Sequence, residues 1–190
     1  MIGITGRRST IAQEFVDICG DMVSYGTLYD LPYYLDKYLI CHGVMHGKSA
    51  RQMEDSEAIE TIVVNFSAIV KFLDKLFDIN PHAKVCVLGS ESGNKGSYDT
   101  IYAGSKAAMH LYVETKQLEY PGQHLVCVAP TIVSDSGMTK RRIDLDATIE
   151  RGKQRRIGRW LNAHEVAEVC NFSLDQPGLC NTVIRMNGGW

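Results

Sequence analysis

The stretch "VLGSESGNKGSYDTIYAGSKAAM", Val87–Met109, decides the fold. It opens as the end of a continuous apolar run, "KVCVLG" (Lys84–Gly89), which reads as a strand buried on both faces. A glycine- and serine-rich turn follows. From Tyr102 to Leu118 the pattern becomes helical, with Pro121-Gly122 as its stop. A buried strand feeding a helix calls for a second strand beside the first, and "HLVCVA" (His124–Ala129) supplies it. The same alternation extends outward in both directions. Ile2–Thr5, Met22–Tyr25, Leu39–Cys41 and Thr182–Met186 read as strands. Thr10–Cys19, Glu54–Phe77 and Ala163–Phe172 read as helices, the first with Thr10 and Gln13 spaced as a capping box and Gly20 as its end. In Glu54–Phe77 the residues Ile59, Ile62, Val63, Phe66, Ile69, Val70, Leu73, Leu76 and Phe77 recur at helical spacing, and Asn80-Pro81 closes it. The expectation is an α/β fold: a doubly wound parallel sheet, Rossmann-like, in a three-layer sandwich. The chain reads as a single domain, 1–190, with no linker or repeat.

Such sheets bind ligands beyond the carboxyl ends of their strands. Thr5-Gly6, Cys41-His42-Gly43, Gly89-Ser90 and Ala129-Pro130 should therefore line one crevice. The first of these sits in "ITGRRSTIAQEF", a strand, a tight turn and a helix start. The open N–H groups of a helix start suit a phosphate, and Arg7 and Arg8 add positive charge. The glycine pattern is incomplete, so a plain strand-to-helix loop competes with that reading. In the central stretch Ser90 precedes Tyr102 by twelve residues, and Tyr102 and Lys106 share a helix face. Ala103, Gly104, Ala107 and Ala108 are read as leaving room for a flat ligand. Two other Tyr…Lys pairs at the same interval, Tyr33…Lys37 and Tyr112…Lys116, lack a serine at a strand end and read as structural.

Composition narrows the function classes. Lys plus Arg number 20 against 22 Asp plus Glu, a net charge of −2, which argues against general nucleic-acid binding. No apolar run is long enough to span a bilayer, and "MIGITG" does not resemble a signal peptide, so the expectation is a cytoplasmic protein without a membrane partner. Six cysteines without a C-x-x-C pair read as buried, reduced thiols. Cys41, His42 and His46 lack a carboxylate or second cysteine nearby in sequence, and no metal site is expected.

In combination and order the motifs resemble the short-chain dehydrogenase/reductase family along nearly the whole chain. "TGRRSTIA" (Thr5–Ala12) stands where that family has T-G-x-x-x-G-x-G, and "CHG" (Cys41–Gly43) where it has N-A-G. "VNF" (Val64–Phe66) carries the helix asparagine, "SESG" (Ser90–Gly93) matches S-x-x-G and "YAGSK" (Tyr102–Lys106) matches Y-x-x-x-K. "APTIV" (Ala129–Val133) stands for the proline-glycine segment. "RIGRWLNAHEVA" (Arg156–Ala167) and "MNGGW" (Met186–Trp190) match the late pattern. The resemblance implies an NAD(P)-dependent oxidoreductase acting on a carbonyl or secondary alcohol. It gives a catalytic set of Asn65, Ser90, Tyr102 and Lys106. It places the cofactor on Thr5, Gly6, Arg7, Arg8, Thr10, Ile11, Cys41, His42, Gly43, Tyr102, Lys106, Pro130, Thr131, Ile132 and Val133. Tyr102 would exchange the proton, favoured as phenolate by Lys106, Ser90 would orient the oxygen and Asn65 would fix a water of the relay. It also implies a homodimer or homotetramer through the helices Glu54–Phe77 and Tyr102–Leu118.

The chain departs from the pattern in four places. Thr10 and Ala12 replace glycines, Cys41 and His42 replace asparagine and alanine, and Thr131 replaces glycine. Only Asp21–Tyr38 lies where two strands and two helices are usual, so one edge strand-helix unit is expected to be missing, leaving six strands. "SYGTL" (Ser24–Leu28) holds no acid, which with Arg7 and Arg8 favours NADP(H) over NAD(H), and Asp30 is a candidate for an adenine contact. The basic residues of Ser134–Arg156, interleaved with Asp144, Asp146 and Glu150, read as a solvated cover over the pocket or as contacts to an anionic or carrier-bound substrate. A degenerate nucleotide-binding or regulatory module of the same fold is the alternative, and a sugar epimerase or dehydratase a third reading.

Overall fold

The computed structural model describes residues 1–20, 23–142 and 144–189. Met22 and Trp190, which the sequence reading placed in a strand and in the closing motif, lie outside them. Along the chain come β1 (Ile2–Ile4), α1 (Thr10–Cys19), β2 (Val23–Tyr25) and β3 (Lys37–Ile40). Then follow α2 (Asp55–Ile62), a π-helical turn (Val63–Ser67) and α3 (Ala68–Ile79). The second half holds β4 (Lys84–Leu88), α4 (Ser92–Lys95), α5 (Thr100–Thr115), β5 (His124–Pro130), α6 (Gly137–Lys140), α7 (Leu145–Lys153), α8 (Ala163–Ser173) and β6 (Thr182–Met186). The six strands form one sheet in the order β2-β1-β3-β4-β5-β6, every neighbouring pair parallel. The doubly wound parallel sheet expected from the apolar runs is therefore present.

Each face carries its own core. On one side α1 and α8 cover the sheet, burying Phe15, Ala12, Val166, Ala167 and Cys170 against Ile4, Leu39 and Val126. On the other, Ile69, Leu73, Leu76 and Phe77 of α3 and Met109 and Val113 of α5 lie on Tyr38, Val85 and Leu125. β4 and β5 are buried on both faces, which is why they read as unbroken apolar runs.

The missing unit shows in the topology. The chain leaves β2 at the sheet edge and enters β3 on the far side of β1 with no helix between. Residues 26–36 make this crossing as a loop studded with Leu28, Leu31 and Leu35, all buried in the same core as α3. Gly3 in β1 makes the crossing possible: a Cβ there would stand 2.9 Å from Leu35 Cδ1 and 3.1 Å from Leu31 Cδ2. Three leucines thus perform the covering that a helix would otherwise provide.

Two local expectations need correction. Thr10 is not the cap of α1. Ser9 is, with no side-chain cap bond; its hydroxyl accepts from the Cys41 thiol at 3.2 Å. The expected single helix Glu54–Phe77 is interrupted by the π-turn at Val63–Ser67, which carries Asn65. The capping box that does form joins Glu54 and Glu57 at the start of α2, and a second joins Asn162 and Glu165 at α8.

Candidate functional site

The carboxyl ends of β1, β3, β4 and β5 bring the singled-out residues together. Gly6 turns the chain after β1 with φ +76°, and a Cβ there would lie 2.8 Å from the Cys41 carbonyl carbon and the His42 nitrogen. Only glycine permits the β1 turn to press on the β3 turn this closely. Thr5 fastens the same junction. Its hydroxyl accepts from the Cys41 amide at 3.0 Å, leaving its own hydrogen for His42 Nδ1 at 2.8 Å. Burial, and then the charge of Lys106, push the His42 pKa down to about 4, against the Val64 carbonyl, which favours the charged form. His42 is therefore neutral at physiological pH.

Asn65 is fully buried and pins the next turn. Its Oδ1 accepts from the Val44 amide and its Nδ2 donates to the Val44 carbonyl, both at 2.8 Å, with a further bond to Ser105 Oγ at 3.2 Å. Both amide hydrogens are thus used, so the side chain could hold a water only through Oδ1. The π-turn places Asn65 at the crevice, in keeping with the frequent occurrence of such turns at functional sites.

Asp99 caps α5 by accepting from the Tyr102 amide at 2.9 Å, and its other oxygen accepts from the Gly47 amide at 3.2 Å. This buried carboxylate joins the loop after β3 to the helix that carries Tyr102. Tyr102 and Lys106 both lie on the buried face of α5. The Lys106 ammonium is 5.9 Å from the Tyr102 ring centroid and donates to the Leu88 carbonyl at 2.9 Å. Two of its hydrogens remain for other acceptors. Ser90 leaves β4 half-buried, and its hydroxyl accepts from the Ser92 amide at 3.2 Å, so its own hydrogen stays available to donate. Gly93 lets this turn lie against α5: a Cβ there would come within 2.7 Å of the Lys106 backbone.

The remaining residues are less uniform. Pro130 ends β5, its carbonyl accepting from Glu91 N, and Thr131 N donates to the Met186 carbonyl at 2.8 Å. Val133 is buried and bridges to Leu161, and Thr131 and Ile132 are half-buried. Arg7 and Arg8 are exposed on the β1 turn and Thr10 is half-buried at the start of α1. The Ile11 side chain packs in the α1–α8 core, so only its amide faces the helix start. The small residues of α5 are not all where the sequence suggested. Gly104 and Ala107 point outward beside Leu111, with open space around Gly104, and so cannot make room for a ligand beside Tyr102.

Two features escaped sequence reading. Glu91, 1% exposed, pairs with Arg185 of β6 at 2.6 Å and ties the Ser90 turn to the sheet edge. His110 lies one turn beyond Lys106, its buried Nε2 without a hydrogen-bond partner, and a Cβ on Gly89 would stand 2.7 Å from it. The competing pairs are structural. Tyr112 and Lys116 both bind Asp74, at 2.8 and 2.7 Å, and Tyr33 stacks on Phe72 while Lys37 binds Asp175. Asp30 accepts from the Thr27 hydroxyl at 2.7 Å. In the cover, Asp144 holds Arg142 and Arg151, Glu150 holds Lys153, and Arg155 lies 4.3 Å from the Trp160 ring centroid. Several cations of this segment are thereby matched within it. All six cysteines are free. Among the described residues no His/Cys/Asp/Glu group could hold a metal, and no helix is long and apolar enough to cross a membrane.

The donors suit a nicotinamide ribose phosphate. α1 starts without a side-chain cap bond, so the amides of Thr10 and Ile11 are open to a phosphate, while that of Ala12 faces the Cys41 sulfur. Gly43 leaves space in front of Asn65 and Lys106 that a Cβ would take, at 3.2 Å from Asn65 Oδ1 and 3.8 Å from Lys106 Nζ.

No family model and no curated protein sequence matches the chain. Solved structures do. A short-chain dehydrogenase/reductase described as glucose/ribitol dehydrogenase, from Brucella melitensis, superposes with a TM-score of 0.86 at 16% identity, covering 99% of this chain and 95% of the other. BdcA in complex with NADPH gives 0.81 at 13% identity, covering 100% and 93%. The 3-oxoacyl (acyl-carrier-protein) reductase of Agrobacterium tumefaciens, with NADP bound, gives 0.82 at 16% identity, covering 100% and 93%. The chain therefore has the fold of the short-chain dehydrogenase/reductase structures.

Proposed function

We propose that this chain is a short-chain dehydrogenase/reductase that moves a hydride between NADP(H) and a carbonyl or secondary alcohol. One observation carries the reading: Tyr102 and Lys106 share the buried face of α5, beside Asn65 and at the carboxyl ends of the strands. The nicotinamide cofactor supplies the hydride when bound. Tyr102 gives its proton to the substrate oxygen in reduction and takes it back in oxidation. The Lys106 ammonium, held by the Leu88 carbonyl, stabilises the negative charge left on the phenol and has hydrogens to spare for a ribose hydroxyl. Ser90 donates to the same substrate oxygen and orients it. Asn65 shapes the crevice through Val44, and the spare capacity of its Oδ1 would hold the water of the relay. Gly6, the amides of Thr10 and Ile11, and Arg7 and Arg8 would receive the cofactor phosphate, with Gly43 and Pro130–Val133 flanking the nicotinamide; Thr5, whose donors go to His42 and Leu39, shapes the turn instead of touching the phosphate. The two arginines and the absence of an acid in Ser24–Leu28 favour NADP(H) over NAD(H).

The substrate is a carbonyl or alcohol, with an anionic or carrier-bound one as the sharper case. The reading includes a homodimer or homotetramer. The exposed Ile59, Ile62 and Val63 form with Ala58 and Ile101 an apolar groove of about 300 Å³ between α2 and α5. Six free thiols suit a reducing cytoplasm.

The test is turnover of NADPH over a panel of carbonyl compounds, with Tyr102→Phe as control. Activity lost in the variant while NADPH binding persists is the expected result. Activity retained by Tyr102→Phe would remove the mechanism. A second reading, a nucleotide-binding module without efficient catalysis, is favoured by the bulk of Thr10 and His42 at the crevice. Micromolar NADPH binding without turnover would select it.

A further inference from the structure

Building on that reading, we infer that Asp99 is a positioning residue: its carboxylate straps the segment 43–47 to α5 and so fixes where Tyr102 stands at the crevice. Asp99 caps α5, yet capping alone does not account for it. The residue is fully buried. Burying a charge costs free energy, and Ser or Asn caps a helix as well as Asp does. A carboxylate adds a second acceptor. Oδ1 accepts from the Tyr102 amide at 2.9 Å and Oδ2 from the Gly47 amide at 3.2 Å. Serine offers one oxygen for these two donors, and asparagine turns N–H hydrogens toward one of them.

The segment that Asp99 holds borders the residues of the proposed chemistry. At its start, a Cβ on Gly43 would lie 3.2 Å from Asn65 Oδ1 and 3.8 Å from Lys106 Nζ. Val44 follows, bonded to Asn65 through both of its backbone groups. Gly47 ends the segment with φ +68°, its amide on Asp99 and the Tyr98 hydroxyl 3.3 Å from its would-be Cβ. The segment therefore meets α5 through the Lys106 side chain and again at Asp99, and Tyr102 lies between these two residues in the helix. Just beyond, Lys48 binds Glu57 of α2 at 2.6 Å. The segment is thus held by the π-turn at Val44 and by α2 at Lys48, and Asp99 passes that fixed position to the start of α5.

Two variants separate the strap from the cap. Asp99→Ser keeps a cap for α5 and gives up the bond to Gly47. Asp99→Asn keeps the size and leaves one oxygen for two donors, and it carries the test if the serine variant does not fold. Both are compared with the parent by NADPH turnover on the carbonyl panel, by NADPH titration, and by hydrogen exchange read by mass spectrometry. Exchange over residues 44–48 should quicken while the middle of α5 stays protected. The NADPH dissociation constant should stay within roughly twofold, and kcat should fall by roughly tenfold or more, because a misplacement of about 1 Å at the reacting group can cost a hundredfold. A merely structural role would not lower kcat at unchanged cofactor affinity. Unchanged exchange over 44–48 would overturn the strap. Faster exchange with a smaller loss of kcat would overturn the positioning role and leave the proposed activity standing. If the parent turns over none of the panel, the proposed activity falls and the role given to Asp99 falls with it.

Discussion

Replacing Gly6 by alanine tests the junction that forms the crevice. Two costs arise. A residue with a Cβ in the left-handed region at φ +76° costs roughly 1–2 kcal/mol. The added carbon would also sit 2.8–2.9 Å from three backbone atoms of Cys41 and His42, none of which can rotate away. Relieving that contact separates the β1 and β3 turns, at a cost of about 1–3 kcal/mol by analogy with overpacked cores. Gly158→Ala isolates the first cost, because Gly158 has φ +70° with nothing within 4 Å of its would-be Cβ. For a chain of this length each kcal/mol moves the melting temperature by roughly 2–4 °C. Gly6→Ala should therefore melt about 4–20 °C lower than the parent, and Gly158→Ala about 2–8 °C lower. Circular dichroism melts of the three proteins at matched concentration decide the matter. Equal shifts for the two variants would refute the close contact between the turns, and with it the description of the crevice floor.

Asn65→Ala should lose about 2–3 kcal/mol in urea unfolding, since it leaves Val44 N–H and C=O and Ser105 without their partner at a buried site. A loss below about 0.5 kcal/mol would mean that the Val44 turn is held by something else. Stability should fall as pH drops from 6.5 toward 4, because burial and Lys106 lower both His42 and His110 to about 4 in the fold. The neutral rings favour the folded state fully above the unfolded pKa of about 6.5, by up to about 3 kcal/mol each, and that contribution disappears as pH falls through 4. Urea midpoints across this range measure it, and His110→Gln should flatten the slope. Ile62→Glu should reduce the mass seen by light scattering to that of a monomer if α2 and α5 form the subunit contact, and an unchanged oligomer would place that contact elsewhere.

Much of the sheet was legible in the sequence because β4 and β5 are buried on both faces and leave unbroken apolar runs. The lost edge unit was legible too, since the distance from α1 to Leu39 leaves no room for it. The manner of its replacement was not, because three leucines spaced along a loop carry no period that distinguishes them from a surface segment. A π-turn adds one residue to a helical turn without altering composition, so Asn65 could be named but not its bonds to Val44. The cap of α1 was misplaced by one residue because Thr10 and Gln13 have capping-box spacing, while Ser9 is the cap by its backbone alone and its hydroxyl meets Cys41, a partner distant in sequence. Glu91 and Arg185 are likewise far apart along the chain, and neither residue type signals a buried pair. Helical spacing put Tyr102 and Lys106 on one face, but which side of α5 faced inward came only with packing, and Gly104 and Ala107 went to the other side.

The placement of the sulfur atoms has a practical consequence. Cys86, Cys127 and Cys170 are fully enclosed and Cys41 nearly so, while Cys19 and Cys180 are half-covered. An alkylating reagent would reach the latter pair through small fluctuations and the other four only when the layers part. Mass spectrometry of a timed labelling reaction would therefore count openings of the molecule, and the chain carries its own clock for the rate at which it comes undone.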